Sequence, residues 1–173
     1  MDHTDHINLL RNAVTAGGVW ADFGSGTGAF ALALAELIGP SGTLHSIERD
    51  EYAVQQQQRA FADRFPDRRV HYHLADFNRP IDLPSLDGLV IANALHFYAQ
   101  PEPIITRLKA YLKPSGCFIV VEYNVEHGNS AVPYPISFEH WRDLAQYAGF
   151  AHTELLATRP SRFLKEIYSA ASR

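Results

Sequence analysis

The sequence of 173 residues holds one cysteine, one methionine and two tryptophans. A single cysteine excludes an intramolecular disulfide. Its place in "GCFIVVEY" (116–123) suits a small hydrophobe of a buried strand better than a nucleophile. No uninterrupted apolar run approaches the roughly 18–20 residues that span a bilayer. Neither sign of charge dominates, with 15 Lys+Arg against 19 Asp+Glu for a formal net charge of −4. The densest basic group, Arg59, Arg64, Arg68 and Arg69, is interleaved with Asp63 and Asp67. It reads as a solvated helix end, so no nucleic-acid partner is expected. The start, "MDHTDHIN", lacks the basic and apolar parts of a secretory leader, which points to a cytoplasmic protein. There is no internal repeat, low-complexity tract or linker. The length fits one domain over 1–173, with 46 % apolar and 20 % charged residues as in ordinary globular chains.

What is present is a regular alternation of apolar runs and punctuated amphipathic segments. Strands are expected at 19–23, 43–48, 69–75, 88–93 and 117–123. Between them come helices from the glycine turn at 24–28 to Gly39-Pro40, from 51 to 65, and through Ile104, Ile105, Leu108 and Leu112 to Lys113-Pro114-Ser115-Gly116. Ser137 can cap a further helix carrying Trp141, Leu144 and Ala148, stopped at Gly149. The tail reads as two strands around a Pro160-Ser161 turn. Alternation of this kind implies a parallel sheet with right-handed crossovers, and the terminal pair places one antiparallel strand at the far edge. Residues 1–18 are expected to form an N-terminal helical lid.

The first strand runs into "DFGSGTGA" (22–29). Glycines at 24, 26 and 28 let a ligand approach the backbone, and the following helix offers free N–H groups. In such a sheet the ligand crevice lies beyond the carboxyl ends of the strands. The letters fit a dinucleotide turn, but Asp22 before it would repel a pyrophosphate and attract an ammonium. Glu48, ending the second strand, can accept from both ribose hydroxyls. Asp76, ending the third, can take an adenine amino group, with Phe77 over the ring. Three acids placed for ammonium, ribose and adenine fit S-adenosylmethionine (SAM) better than a dinucleotide, which also needs a second half-site.

Five stretches in order carry a resemblance over nearly the whole chain: "ADFGSGTG", "SIERD", "LADF", "DGLVIANALHFY" and "YLKPSGCFIVVEY". Together they resemble the class I SAM-dependent methyltransferases. The resemblance implies a Rossmann-like, doubly wound, mostly parallel seven-stranded sheet with an antiparallel terminal strand and helices on both faces. It implies SAM as cofactor and S-adenosylhomocysteine as product. It places Asp22, Gly24, Ser25, Gly26 and Gly28 around the methionine part and Glu48 at the ribose. Arg49 would neighbour the adenosine, Asp76 and Phe77 would hold the adenine, and Asn93 would offer its backbone carbonyl. "NALH" departs from the Asn-Pro-Pro-Tyr motif used on exocyclic amino groups of DNA bases or on glutamine, which favours a small-molecule acceptor.

Methyl transfer from a sulfonium needs alignment above all, worth about 7–11 kcal/mol, so a base is optional. His96, three residues past the fourth strand, is the candidate base, or else begins the next helix and bonds locally. Tyr123 at the end of the fifth strand lines the acceptor side or packs at the rim. Tyr134 is a lid aromatic or a surface staple, and Arg159 and Arg162 bind an acidic acceptor or belong to a solvated hairpin. The histidine pairs His71/His73 and His3/His6 have no third ligand at a zinc-like spacing, so no metal is expected. The acceptor site is expected to be open, built from the N-terminal helix, residues 94–100 and the loop 124–136, with a homodimer as one way to close it. A non-catalytic SAM-binding subunit and a nicotinamide oxidoreductase remain the alternative functions.

Overall fold

The computed structural model describes all 173 residues. A seven-stranded sheet runs β1 (Val19–Phe23), β2 (Thr43–Glu48), β3 (Arg69–Leu74), β4 (Leu86–Ala92), β5 (Leu112–Tyr123), β6 (Thr153–Pro160) and β7 (Glu166–Ser172). Its spatial order is β3-β2-β1-β4-β5-β7-β6. The order reverses between β1 and β4, which opens the crevice expected for a doubly wound sheet. Pairings among β1 to β5 are parallel, and β7 is antiparallel to both β5 and β6.

Helices α1 (His3–Leu10), α2 (Ala29–Ile38) and α3 (Glu51–Arg64) cover one face; α4 (Glu102–Lys109) and α5 (Phe138–Tyr147) cover the other. The first face buries Leu9, Leu10, Phe30, Leu34 and Phe61 with Trp20 and Val90. The second buries Ile105, Leu108 and Trp141 with Phe23, Ile91 and Phe118. Side-chain caps begin three of the helices. Asp2 and Asp5 form a reciprocal capping box on α1, Asp50 accepts from Tyr52 and Ala53 N–H on α3, and Ser137 caps α5 as its sequence position suggests.

The structure differs from expectation in three places, two of them in the tail. The antiparallel strand β7 is not at the edge; it sits between β5 and β6. The reason is composition: β7 is buried along almost its whole length, whereas β6 is half exposed and ends in a proline, as an edge strand can. The connecting turn also spans 161–165, closed by Ser161 N–H donating to Lys165 O at 3.0 Å. In the middle of the chain, α4 stops at Lys109 and β5 begins at Leu112, so Lys113-Pro114-Ser115-Gly116 is strand rather than turn. Leu112 pairs with Leu86, the next pair is Gly88 with Cys117, and Pro114 falls in the bulge between them where no ladder donor is needed.

Candidate cofactor and acceptor site

The carboxyl ends of β1, β2, β3 and β4 converge on two adjoining hollows that share Gly24 and Asn93. The first, about 200 Å³, is lined by Glu48, Arg49, Asp76, Phe77, Phe97 and Tyr98 as well. The second, about 260 Å³, is lined by Asp22, Ser25, Gly26 and the first turn of α2, with Met1 and His6 from the N-terminal end. The structure therefore brings together all the residues predicted for the cofactor except Gly28, which acts from behind the turn.

The glycine turn is held from both sides. Gly24 and Ser25 N–H both donate to Ile47 O, at 2.9 and 3.0 Å. Gly24 has φ +72, and a Cβ there would lie 3.1 Å from Phe77 Cε1 and 3.2 Å from Ala94 Cβ. Gly28, the N-cap of α2, has φ +93, and its Cβ would lie 2.5 Å from Gln57 Cγ. Fully buried Gln57 donates to Ser25 Oγ at 3.0 Å and to Gly26 O at 3.2 Å, while Ser25 Oγ and Ser46 Oγ share a bond of 2.7 Å.

Glu48 does more than face a ribose. Its Oε2 accepts from Gly26 N–H at 2.8 Å, and its Oε1 accepts from Arg49 and Asp50 N–H at 2.8 and 2.9 Å. Three of a carboxylate's roughly four acceptor positions are thus engaged. Asp76 Oδ1 accepts from Asn78 N–H at 2.8 Å, and Phe77 meets Tyr98 edge-on at 5.8 Å. Asp22 is 1 % exposed and its Oδ2 has no partner. Burial, and then the nearby Glu48 charge, push its carboxyl up to about 7. Asn93 adopts φ +50, donates its backbone N–H to Val121 O at 2.8 Å, and leaves Oδ1 buried without a partner.

On the acceptor side, His96 is neither at a helix start nor in either hollow. It lies inside a single 3-10 turn, Leu95–Phe97, and is 3 % exposed. Its Nδ1 is 2.6 Å from Glu122 Oε2, and Glu122 Oε1 accepts from Leu95 and His96 N–H at 3.1 and 3.3 Å. Tyr123 lines a separate cleft of about 550 Å³ with Phe163, Arg162 and Asp5; Met1 lines both this cleft and the second hollow.

The family profile for "Methyltransferase domain" matches residues 15–166. The chain belongs to that family.

Among curated proteins, a "Probable cobalt-precorrin-6B C(15)-methyltransferase (decarboxylating)" from Thermoplasma volcanium is 28 % identical over 127 residues, 73 % of this chain. The chain spans 61 % of that relative's length. Among solved structures, a SAM-dependent methyltransferase from Aquifex aeolicus aligns with TM-score 0.72 at 16 % identity, covering 99 % of this chain and 98 % of the other. A precorrin-6y C5,15-methyltransferase from Geobacter metallireducens GS-15 aligns with TM-score 0.69 at 17 % identity, covering 99 % and 86 %. The fold is that of the class I SAM-dependent methyltransferases.

The hollows of this methyltransferase-family chain fit SAM on their own chemistry. Two orphaned acceptor oxygens, Asp22 Oδ2 and Asn93 Oδ1, belong to residues that line the second hollow beside the first turn of α2. A buried unpartnered acceptor calls for a donor, and an α-ammonium supplies three. Gly24 lines both this hollow and the aromatic one, and a Cβ there would press on Phe77 and Ala94.

The remaining predicted groups disperse. His3 bonds Glu36 at 2.8 Å while His6 packs on Phe30, so they form no common site. His71 and His73 stack with His45, whose Nδ1 is 3.0 Å from His73 Nε2. Burial, then His71 and His73, push His45 down to about 4. No group of three or more His, Cys, Asp or Glu has metal-holding geometry. Arg159 reaches Asp5 at 3.4 Å, and Tyr134 is exposed, its N–H donating to His96 O at 3.0 Å. No helix is long and apolar enough to cross a membrane. The sequence reading missed Gln57 and Glu122. Gln57 lies at helical spacing between Val54 and Phe61, an inward position that the run of four glutamines masks.

Proposed function

We propose that this chain transfers the methyl group of SAM to a small-molecule acceptor. The observation that supports it most is the pair of orphaned oxygens, Asp22 Oδ2 and Asn93 Oδ1, beside the free N–H groups at the start of α2. Acceptors and donors lining one hollow suit a zwitterionic α-amino acid and do not suit a pyrophosphate. In this reading Asp22 and Asn93 hold the ammonium, and Gly24, Ser25, Gly26 and Gly28 shape the turn around it. Glu48 uses its remaining acceptor position on the ribose, with Arg49 beside it. Asp76 takes the adenine amino group between Phe77 and Tyr98.

SAM supplies a methyl carbon already activated by its sulfonium. The chain aligns the acceptor, excludes water and receives a proton where the acceptor loses one. His96 receives it. Glu122 holds the Nδ1–H tautomer and so leaves the Nε2 lone pair free. We take as the acceptor side the cleft lined by Tyr123, because Met1 lines both it and the methionine hollow. Of the segments expected there only the N-terminal one takes part, not 94–100 or 124–136. The same reading takes 1–173 as one domain in the cytoplasm, residues 1–18 as a strap over the cofactor, and a homodimer as the way to close the open side. The named precorrin relatives support a small-molecule acceptor.

A second reading, a non-catalytic SAM-binding subunit, is favoured by the burial of His96 away from both hollows. Incubation with methyl-labelled SAM and fractionated cell extract separates the two. Label in the low-mass fraction with wild type, and none with Glu48→Ala, is the expected result. Label confined to the protein or nucleic-acid fraction contradicts the acceptor class, and none in any fraction favours the second reading.

A further inference from the structure

The second hollow has a wall that no motif points to. His6, on the first full turn of α1, lines it together with Thr27, Ala29 and Phe30. Its imidazole stands edge-on against the Phe30 ring, with centroids 4.7 Å apart. The placement is firm, because the next residues of the helix, Ile7, Leu9 and Leu10, are buried in the core and the Asp2–Asp5 capping box fixes the helix start.

His3, one turn earlier, spends its Nε2 on Glu36. His6 is half-buried and neither of its ring nitrogens has a hydrogen-bond partner. Burial is the main cause that lowers its pKa from the usual 6.5, so at neutral pH it presents one N–H and one lone pair. Beside it, the N–H groups of Ala29 and Phe30 belong to the first turn of α2, where no intrahelical acceptor exists. The same hollow is lined by Asp22 and Asn93, each with an unpartnered oxygen. The hollow is therefore lined both by hydrogen-bond donors, from α1 and α2, and by acceptors, from the ends of β1 and β4. A ligand group that matches carries a carboxylate and an ammonium on one carbon.

We propose that α1 is part of the cofactor site, and that His6 donates a hydrogen bond to the α-carboxylate of the ligand's amino-acid moiety. The inference rests on the SAM reading of the hollows and deepens it. It makes α1 a reader of the methionine half rather than a general cover. Ligands that lack the amino-acid half, such as 5′-methylthioadenosine, bypass His6 altogether.

Calorimetric titration of S-adenosylhomocysteine and of 5′-methylthioadenosine tests this, using wild type, His6→Phe and His6→Gln. The phenylalanine keeps a ring against Phe30 and removes the donor; the glutamine restores an N–H. His6→Phe is expected to weaken S-adenosylhomocysteine about tenfold, the scale of one hydrogen bond to a charged group. It is expected to leave 5′-methylthioadenosine unchanged, and His6→Gln is expected to recover most of the loss. Equal weakening of both ligands would mean that His6 only packs α1, and no weakening of either would mean that it does not touch the ligand; each overturns the proposal. Wild type that binds neither nucleoside contradicts the SAM reading itself, a different and recognisable failure.

Discussion

Glu122 Oε2 lies 2.6 Å from His96 Nδ1, with both side chains buried. The carboxylate also gathers the N–H groups of Leu95 and His96, so one side chain fixes both the turn after β4 and the tautomer of the imidazole. Truncating it strands a buried ring and two N–H groups. Glu122→Ala should therefore cost about 3–5 kcal/mol, read by chemical denaturation. Glu122→Gln keeps a carbonyl oxygen for the N–H groups and should cost markedly less. Its amide can donate to Nδ1 and so favour the other tautomer, which nitrogen-15 imidazole shifts report. Equal stability losses in the two variants would show that the carboxylate's acceptor role is not what matters.

Asp22 makes ligand binding depend on pH. Its carboxyl, raised to about 7, must be ionised to hold an ammonium. Affinity for S-adenosylhomocysteine should rise with pH, by up to about tenfold per unit well below 7, and level off above it. Asp22→Asn should bind more weakly and lose this slope. For folding the sign is opposite. A raised carboxyl favours the folded state below the ordinary 3.8, and this advantage is lost as pH rises through about 7. Asp22→Asn should then be more stable than wild type at pH 8, and thermal melts across pH would show it.

Gly28 and Gln57 should couple. Gly28→Ala meets two obstacles, a φ of +93 and Gln57 Cγ at 2.5 Å. It should destabilise by about 2–4 kcal/mol. Gln57→Ala removes the second obstacle but forfeits the bonds to Ser25 and Gly26. The double variant should be more stable than the sum of the singles by about 0.5–3 kcal/mol, the range for residues in contact. Strict additivity in urea melts would contradict this packing.

The histidine trio on β2 and β3 should act on acid stability. His45 is pushed down to about 4, chiefly by burial, so the fold holds it neutral while the unfolded chain protonates it near 6.5. Stability from this group is lost as pH falls from 6.5 through 4. In an Asp22→Asn background, which removes the opposing carboxyl, His45→Gln should flatten the decline between pH 6.5 and 4. An unchanged decline would place the acid sensitivity elsewhere.

The elements legible in the sequence are those whose signal is local. The continuous apolar runs of β1, β2 and β4 and the caps Asp50 and Ser137 need no tertiary information. Asp22, Glu48 and Asp76 are legible as candidates because the strand ends that carry them are adjacent in a sheet of this topology, whereas Asn93 comes only from the family resemblance. Gln57 and Glu122 were not, because their roles depend on partners 32 and 26 residues away. The placing of β7 inside β6 depended on comparing the burial of both strands. Pro114 looked like a turn residue, since nothing local announces a bulge that spares its missing N–H.

Thermal unfolding with S-adenosylhomocysteine and, separately, NADH tests the central claim most directly. At about 100 times the dissociation constant, linkage gives roughly 2.7 kcal/mol of stabilisation. For a chain of this size that is a rise of several degrees, at roughly 2–4 °C per kcal/mol. The account predicts a rise with S-adenosylhomocysteine alone, abolished by Glu48→Ala. A rise with NADH alone would contradict it, and would mean that Asp22 faces a pyrophosphate after all.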